Sequence, residues 1–274
     1  MDTRFWGPSG WRLLHMVAFQ APTLEKQKVH TFFENLPYVL PCKYCRASLS
    51  DYMASDPIPE KLDDYAEWLY RIHNRVNGKL REQKLLETKD PSWEEIKTHY
   101  TTLLKQPCTE NTMTGWDFLY STAYTTPCPS VISAPMPDAP PNPKTPELRN
   151  RWGVMTREER IPYLEAWWNT LEYVLPFKRW RQAWSSLPHR PNTKLGRGDL
   201  TRWLYKAEKH VCKELKLTTP HSNYLQVCKE LSTFSSNCGK QKVKVKTCRT
   251  AKKHAKNTLK VRRKTTYKLT GGFL

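Results

Sequence analysis

Hydrophobic and polar positions along this chain repeat at the helical period. Trp11, Leu14, His15 and Ala18 fall at i, i+3, i+4 and i+7, one face of a helix, with Ser9 a suitable N-cap before them. A second helix is predicted over about residues 25–36. Pro41 suits the first position of a third, which puts Cys42 and Cys45 in its opening turn. A fourth is predicted from about Leu62 to Leu80, with Leu69, Ile72, His73, Val76, Asn77 and Leu80 on one stripe. A short fifth follows Asp90-Pro91, capped by Ser92. No segment alternates with period two over a useful length. The expected fold is therefore all-α, a bundle of four helices plus a short fifth.

The pattern then recurs. At an offset of 135, Leu36–Arg46 (LPYVLPCKYCR) and Leu171–Arg181 (LEYVLPFKRWR) agree at seven of eleven positions. The same offset pairs Glu67–Tyr70 with Arg202–Tyr205. Upstream the offset is 105, pairing Gly10–Pro22 with Gly115–Pro127. Order is preserved, so the difference of 30 residues reads as an insertion in the second copy. Residues 127–146 hold eight prolines and are not expected to be helical. The expectation is a duplicated helical bundle, the second copy covering about residues 107–234.

Length and charge add a third region. The 274 residues suffice for two domains, and no stretch approaches the roughly 20 apolar residues of a membrane span. The net charge of +19 is uneven, because residues 239–274 carry 13 Lys/Arg and no acid. Residues 235–274 are thus expected to be a solvated, disordered basic arm, suited to non-specific contact with nucleic acid or another polyanion. An acid at position 2 and the lack of an apolar stretch near the N-terminus point away from secretion, towards the cytoplasm. There, cysteines are more often buried, metal-bound or redox-active than cross-linked.

Cys42-Lys43-Tyr44-Cys45 in a helical first turn is a redox candidate, since helix N-terminal amides stabilise a thiolate. Half of a zinc site is the rival reading, but the other six cysteines are widely scattered. His73 and Asn77 interrupt an apolar stripe and need partners. A lone inward histidine is usually a satisfied core residue. Two of them with Trp11 and Asn77 beside a dithiol would suit a flat, hydrogen-bonding cofactor.

Three segments, WGPSGWRLLH (Trp6–His15), PCKYC (Pro41–Cys45) and HNRVNGKL (His73–Leu80), resemble the signatures of the Erv/ALR flavin sulfhydryl oxidases, in that family's order. The resemblance covers about residues 5–100. It implies a helical bundle that grips FAD and oxidises protein dithiols to disulfides with O2, giving H2O2. It implies Cys45 as the flavin-proximal cysteine and Cys42 as the interchange cysteine. Gly7, Trp11, His15, His73, Asn74, Val76, Asn77, Lys79, Leu80 and, less directly, Tyr100 match FAD-lining positions. Asp90-Pro91-Ser92 stands where many members carry a structural cysteine, and a second CxC or CxxC shuttle pair is missing from the sequence.

The resemblance is thus to a catalytic domain over residues 1–106. In the second copy Cys42 and Cys45 correspond to Phe177 and Trp180, His15 to Tyr120, His73 to Glu208 and Asn77 to Cys212. That is a scaffold kept after its cofactor is lost, and such copies occur in multidomain and large-DNA-virus relatives. A viral oxidase would work in host cytoplasm or virion, with reduced protein dithiols and O2 as partners and homodimerisation open. The alternative is a non-enzymatic virion or nucleic-acid-binding protein that uses the bundles as scaffold. Cys238 and Cys248, at the start of the arm, are shuttle candidates or incidental thiols.

Overall fold

The computed structural model of the chain describes residues 1–126, 135–136, 138–194 and 196–235. The basic arm with Cys238 and Cys248, and Cys128 in the proline-rich stretch, lie outside them. Every regular element among the described residues is helical, as the periodicity predicts. The first half contains α1 (Thr3–Gln20), α2 (Lys26–Glu34), α3 (Leu36–Val39), α4 (Lys43–Ser55), α5 (Tyr65–Glu82) and α6 (Trp93–Lys105). The second contains α7 (Trp116–Tyr124), α8 (Pro146–Arg151), α9 (Arg157–Val174), α10 (Lys178–Ser185), α11 (Arg197–Leu215) and α12 (Tyr224–Thr233).

Several boundaries differ from the periodicity reading, each for a local reason. Helix α1 starts at Thr3, not after Ser9: the Asp2 side chain accepts from Arg4 N at 3.0 Å and caps it. The helix runs through Pro8, losing one hydrogen bond, and so buries Trp6. The predicted second helix is two, because Pro37 cannot donate and restarts the chain at Leu36. Cys42 is the N-cap of α4, so Cys45 but not Cys42 lies in its first turn. Leu62–Asp64 is a separate 3-10 turn ahead of α5. Ser92 does cap α6, through a reciprocal capping box with Glu95. In the proline-rich stretch, Pro146 is the first residue of α8, where its missing N–H costs nothing.

One continuous apolar core runs through both halves, with α1 against α7 and α2 against α9. Two glycines allow the first approach. A Cβ on Gly10 would sit 3.2 Å from the Phe118 ring, and one on Gly115 would sit 2.6 Å from Leu13 Cδ2. Gly115 is also left-handed, with φ +101°, a conformation that glycine adopts without penalty. Phe32 stacks on Trp167, and Lys28 Nζ lies 4.7 Å over the Tyr173 ring while Tyr38 stacks on Tyr163 at 3.9 Å. The cap of α1 also meets the C-terminal end of α12: Asp2 N donates to Phe234 O, and Phe5 stacks on Phe234. Among the described residues no helix is long and apolar enough to cross a membrane.

Candidate active site

A cleft with about 140 Å³ of open space lies between α1, α4 and α5. Its walls are mostly apolar, and Gly7, Trp11, Cys45, His73, Val76, Asn77, Lys79 and Leu80 all contribute to it. Val76 and Leu80 stay half-buried on the stripe of α5 because they face this opening, while Leu69 and Ile72 further up the helix are fully packed. Nothing lies within 4 Å of the Cβ position of Gly7, so the wall is recessed there.

His15, Tyr100, Asn74 and Cys42 do not line the cleft. His15 and Tyr100 form the layer behind it. Trp11 stacks on His73 with centroids 3.8 Å apart and planes 11° from parallel. His73 Nδ1 meets His15 Nε2 at 3.1 Å, and His15 stacks on the buried Tyr100. One histidine must donate where the other accepts, so at least one of these ring nitrogens is unprotonated. Burial, with His99 adding repulsion, takes His15 down to about 3. Burial, with His15 adding to it, takes His73 well below its ordinary value. Both rings are therefore neutral at physiological pH.

The other wall carries the polar groups. Lys79 Nζ donates to Ser48 Oγ at 2.5 Å, joining α5 to α4 one turn beyond Cys45. Asn77 Nδ2 donates to Asp90 Oδ1 at 2.8 Å, and Arg81 grips the same carboxylate at 2.5 Å. Burial would push Asp90 up, but the bonds from Arg81 and Asn77 outweigh it and hold the carboxyl below its usual range. Trp6 Nε1 and Gln83 Oε1 are buried wall atoms with no hydrogen-bond partner. Asn74 Oδ1, next to His73 in sequence and outside the cleft lining, is buried without one too.

Cys42 is 7% exposed and Cys45 half-buried, both at the N-terminal end of α4 where the helix dipole favours a thiolate. Arg46 is the neighbour that periodicity does not flag. Its guanidinium donates to Leu40 O at 2.8 Å; burial weakens its hold on a proton, and the sulfurs of Cys42 and Cys45 act the other way. Asp90 was also missed, although an acid ahead of a Pro-Ser helix start was a visible signal. Among the described residues no cluster of ligands could hold a metal ion, so the half-zinc reading of CxxC gains no second pair there.

In the second half, Tyr120 Oη donates to Glu208 Oε2 at 2.5 Å, and the fully buried Glu208 also takes His221 N and faces His221 Nδ1 at 2.9 Å. Cys212 lies nearby, its thiol pushed up to about 11 by burial and by Glu208. Trp116, Trp180 and Trp184 fill the interior there, at no more than 4% exposure.

A family model described as Erv1 / Alr family matches residues 8–101. A probable FAD-linked sulfhydryl oxidase of Acanthamoeba polyphaga mimivirus is 33% identical over 85 residues, 28% of this chain and 59% of that protein. The FAD-linked sulfhydryl oxidase of African swine fever virus is 32% identical over 100 residues, 35% of this chain and 79% of that protein. The mitochondrial FAD-linked sulfhydryl oxidase of Saccharomyces cerevisiae is 31% identical over 88 residues, 30% of this chain and 47% of its own length. No solved structure matches. With its matched region built around the cleft and the CxxC helix, the chain belongs to the Erv1 / Alr family.

Proposed function

We propose that this chain is an FAD-linked sulfhydryl oxidase that turns protein dithiols into disulfides at Cys42 and Cys45. One observation carries the reading: Cys45 opens into a mostly apolar cleft whose floor is the Trp11–His73 stack. The residues present fit a flavin. The recess at Gly7 leaves room for a flat ring, the orphaned Trp6 Nε1 and Gln83 Oε1 offer hydrogen bonds, and Lys79 supplies a cation. Trp6, Trp11, Cys45, His73 and Lys79 would hold it. A bound flavin would supply the acceptor for the electron pair, with O2 as the final oxidant and H2O2 as the product.

The protein's own part is thiol exchange. A substrate thiolate attacks the Cys42–Cys45 disulfide at Cys42, which does not line the cleft, and the Cys45 thiolate leaves towards the cleft. A second substrate thiolate then displaces Cys42 and closes the substrate disulfide. The substrate loses two electrons and two protons, and the pair gains both electrons. The α4 N-terminus and Arg46 stabilise the thiolates released. Neutral His15 and His73 hold the stack rigid without adding charge behind it. A visible absorption spectrum of the purified protein tests the reading: flavin bands support it, and a colourless full-length chain defeats it.

Residues 107–234 act as a cofactor-less second copy. The support is pairwise. His15 meets His73, and the residues at their offsets, Tyr120 and Glu208, also meet. Arg46 donates to Leu40 O and Arg181 to Leu175 O, the same bond 135 residues on. Gly10 faces Phe118 as Gly115 faces Leu13, the reciprocal contacts of a two-fold interface. The three tryptophans pack the second interior, Trp180 standing where Cys45 stands in the first copy. This internal pairing takes the place of a homodimer, and the basic arm is left to contact polyanions.

A further inference from the structure

Two carbonyls of the loop that leads to Cys42 are held by the second half. Asn150, the penultimate residue of α8, donates Nδ2 to Pro37 O at 3.0 Å. Arg160, in the first turn of α9 and 5% exposed, donates Nε and Nη2 to Tyr38 O at 3.2 and 2.7 Å. The guanidinium groups of Arg160 and Arg46 lie close enough to repel one another, and Arg46 in turn feels both cysteine sulfurs. The Arg46 bond belongs to the shared scaffold, since Arg181 repeats it. Arg160 does not: the residue 135 positions earlier is the exposed Glu25. Among the described residues, the second copy therefore has no counterpart of this basic pair at its Phe177 and Trp180.

A buried cation is expensive unless hydrogen bonds or negative charge compensate it. The Tyr38 carbonyl compensates in part, and the cysteine sulfurs act on its neighbour Arg46. We propose that Arg160 is a positioning residue for the Cys42–Cys45 pair, supplied by the half that lacks a cofactor. It ties down the loop carrying Cys42 and, beside Arg46, adds positive potential that favours the thiolates. Other charges reach this corner as well: Lys43 on α4, the Arg151–Asp51 ion pair between α8 and α4 at 2.6 Å, and Glu34 and Glu147, which act on the Tyr38 ring. Arg160 acts on the loop backbone directly, through Tyr38 O. The inference rests on Cys42 and Cys45 being the redox pair.

The test uses full-length protein, reduced and kept anaerobic. The rate of Cys42 alkylation by iodoacetamide is followed against pH by peptide mass spectrometry. Arg160→Gln keeps a donor for the Tyr38 carbonyl and removes the charge; Arg160→Lys keeps the charge. The alkylation midpoint should rise by roughly half to one pH unit in Arg160→Gln and stay near the parent in Arg160→Lys. Melting temperature and flavin per chain should hold in both variants. Should Arg160→Gln not fold, Arg160→Met, which also removes the charge, carries the same expectation for the midpoint. An unchanged midpoint without the charge, or an equal shift in Arg160→Lys, overturns the proposal. Alkylation needs neither flavin nor turnover, so a parent that lacks flavin defeats the oxidase reading separately.

Discussion

Phe32 lies against Trp167 with ring centroids 5.4 Å apart and planes 21° from parallel, and 135 residues separate them. That is the offset aligning the two YVLP segments, so each ring packs on its own counterpart across the seam between the halves. Both are fully buried. Trp167→Ala should cost about 3–5 kcal/mol, the usual range for emptying a buried aromatic site. Because one core spans the seam, chemical denaturation should show a single transition moved to lower denaturant. Two separated transitions would mean that the halves do not stabilise one another.

The two cysteines should part company spectroscopically. With Cys42→Ser, the Cys45 thiolate stays in the cleft wall and should give a long-wavelength charge-transfer absorption with bound flavin. Cys45→Ser should give none. Both variants should lose turnover with dithiothreitol. A band in Cys45→Ser and not in Cys42→Ser would reverse the assignment of roles.

The buried histidine pair sets a pH limit. His15 and His73 have folded-state values depressed below the ordinary 6.5. The stability they confer is complete above that value and is lost as pH falls towards the folded values, since only the unfolded chain takes up the protons. Each can lower stability by up to about 1.4 kcal/mol per pH unit below 6.5. His221 works in reverse: burial lowers its value, but Glu208, Glu230 and Asp117 prevail and raise it, so its contribution is present at low pH and fades as pH rises. Melting temperature measured from about pH 7 to pH 5 should therefore fall less steeply in His73→Gln than in the parent. Parallel curves would place the acid sensitivity elsewhere.

Two glycines should respond in opposite ways. Gly7→Val meets open space and should leave melting temperature nearly unchanged while lowering flavin per chain. Gly115→Ala combines a left-handed φ with a Cβ 2.6 Å from Leu13, and should destabilise by about 1–3 kcal/mol. A Gly7 variant that retains full flavin would remove the recess from the binding site.

Helical periodicity made the main helices and the stripe of α5 legible, because those rows face a core. It could not anticipate that Val76 and Leu80 would front an open cleft, since an apolar wall and an apolar core share one pattern. Starts and breaks were read less well. Ser9 looked like the cap of α1, yet Asp2 caps it upstream of Pro8; Cys42 looked helical, yet its extended backbone makes it the cap. The contacts of Asn150 and Arg160 with the Cys42 loop span more than 100 residues and leave no local trace. Only folding brings them to that loop.

The seam has a further consequence. Two separate bundles meeting along α1 and α2 would part on dilution, and any cation that one lent to the other's cysteines would leave with it. Carried on one chain, the second half faces the first at an effective concentration fixed by the connecting segment, on the order of millimolar for a short link, however scarce the protein is. The thiol centre then keeps its neighbour from the first molecule made.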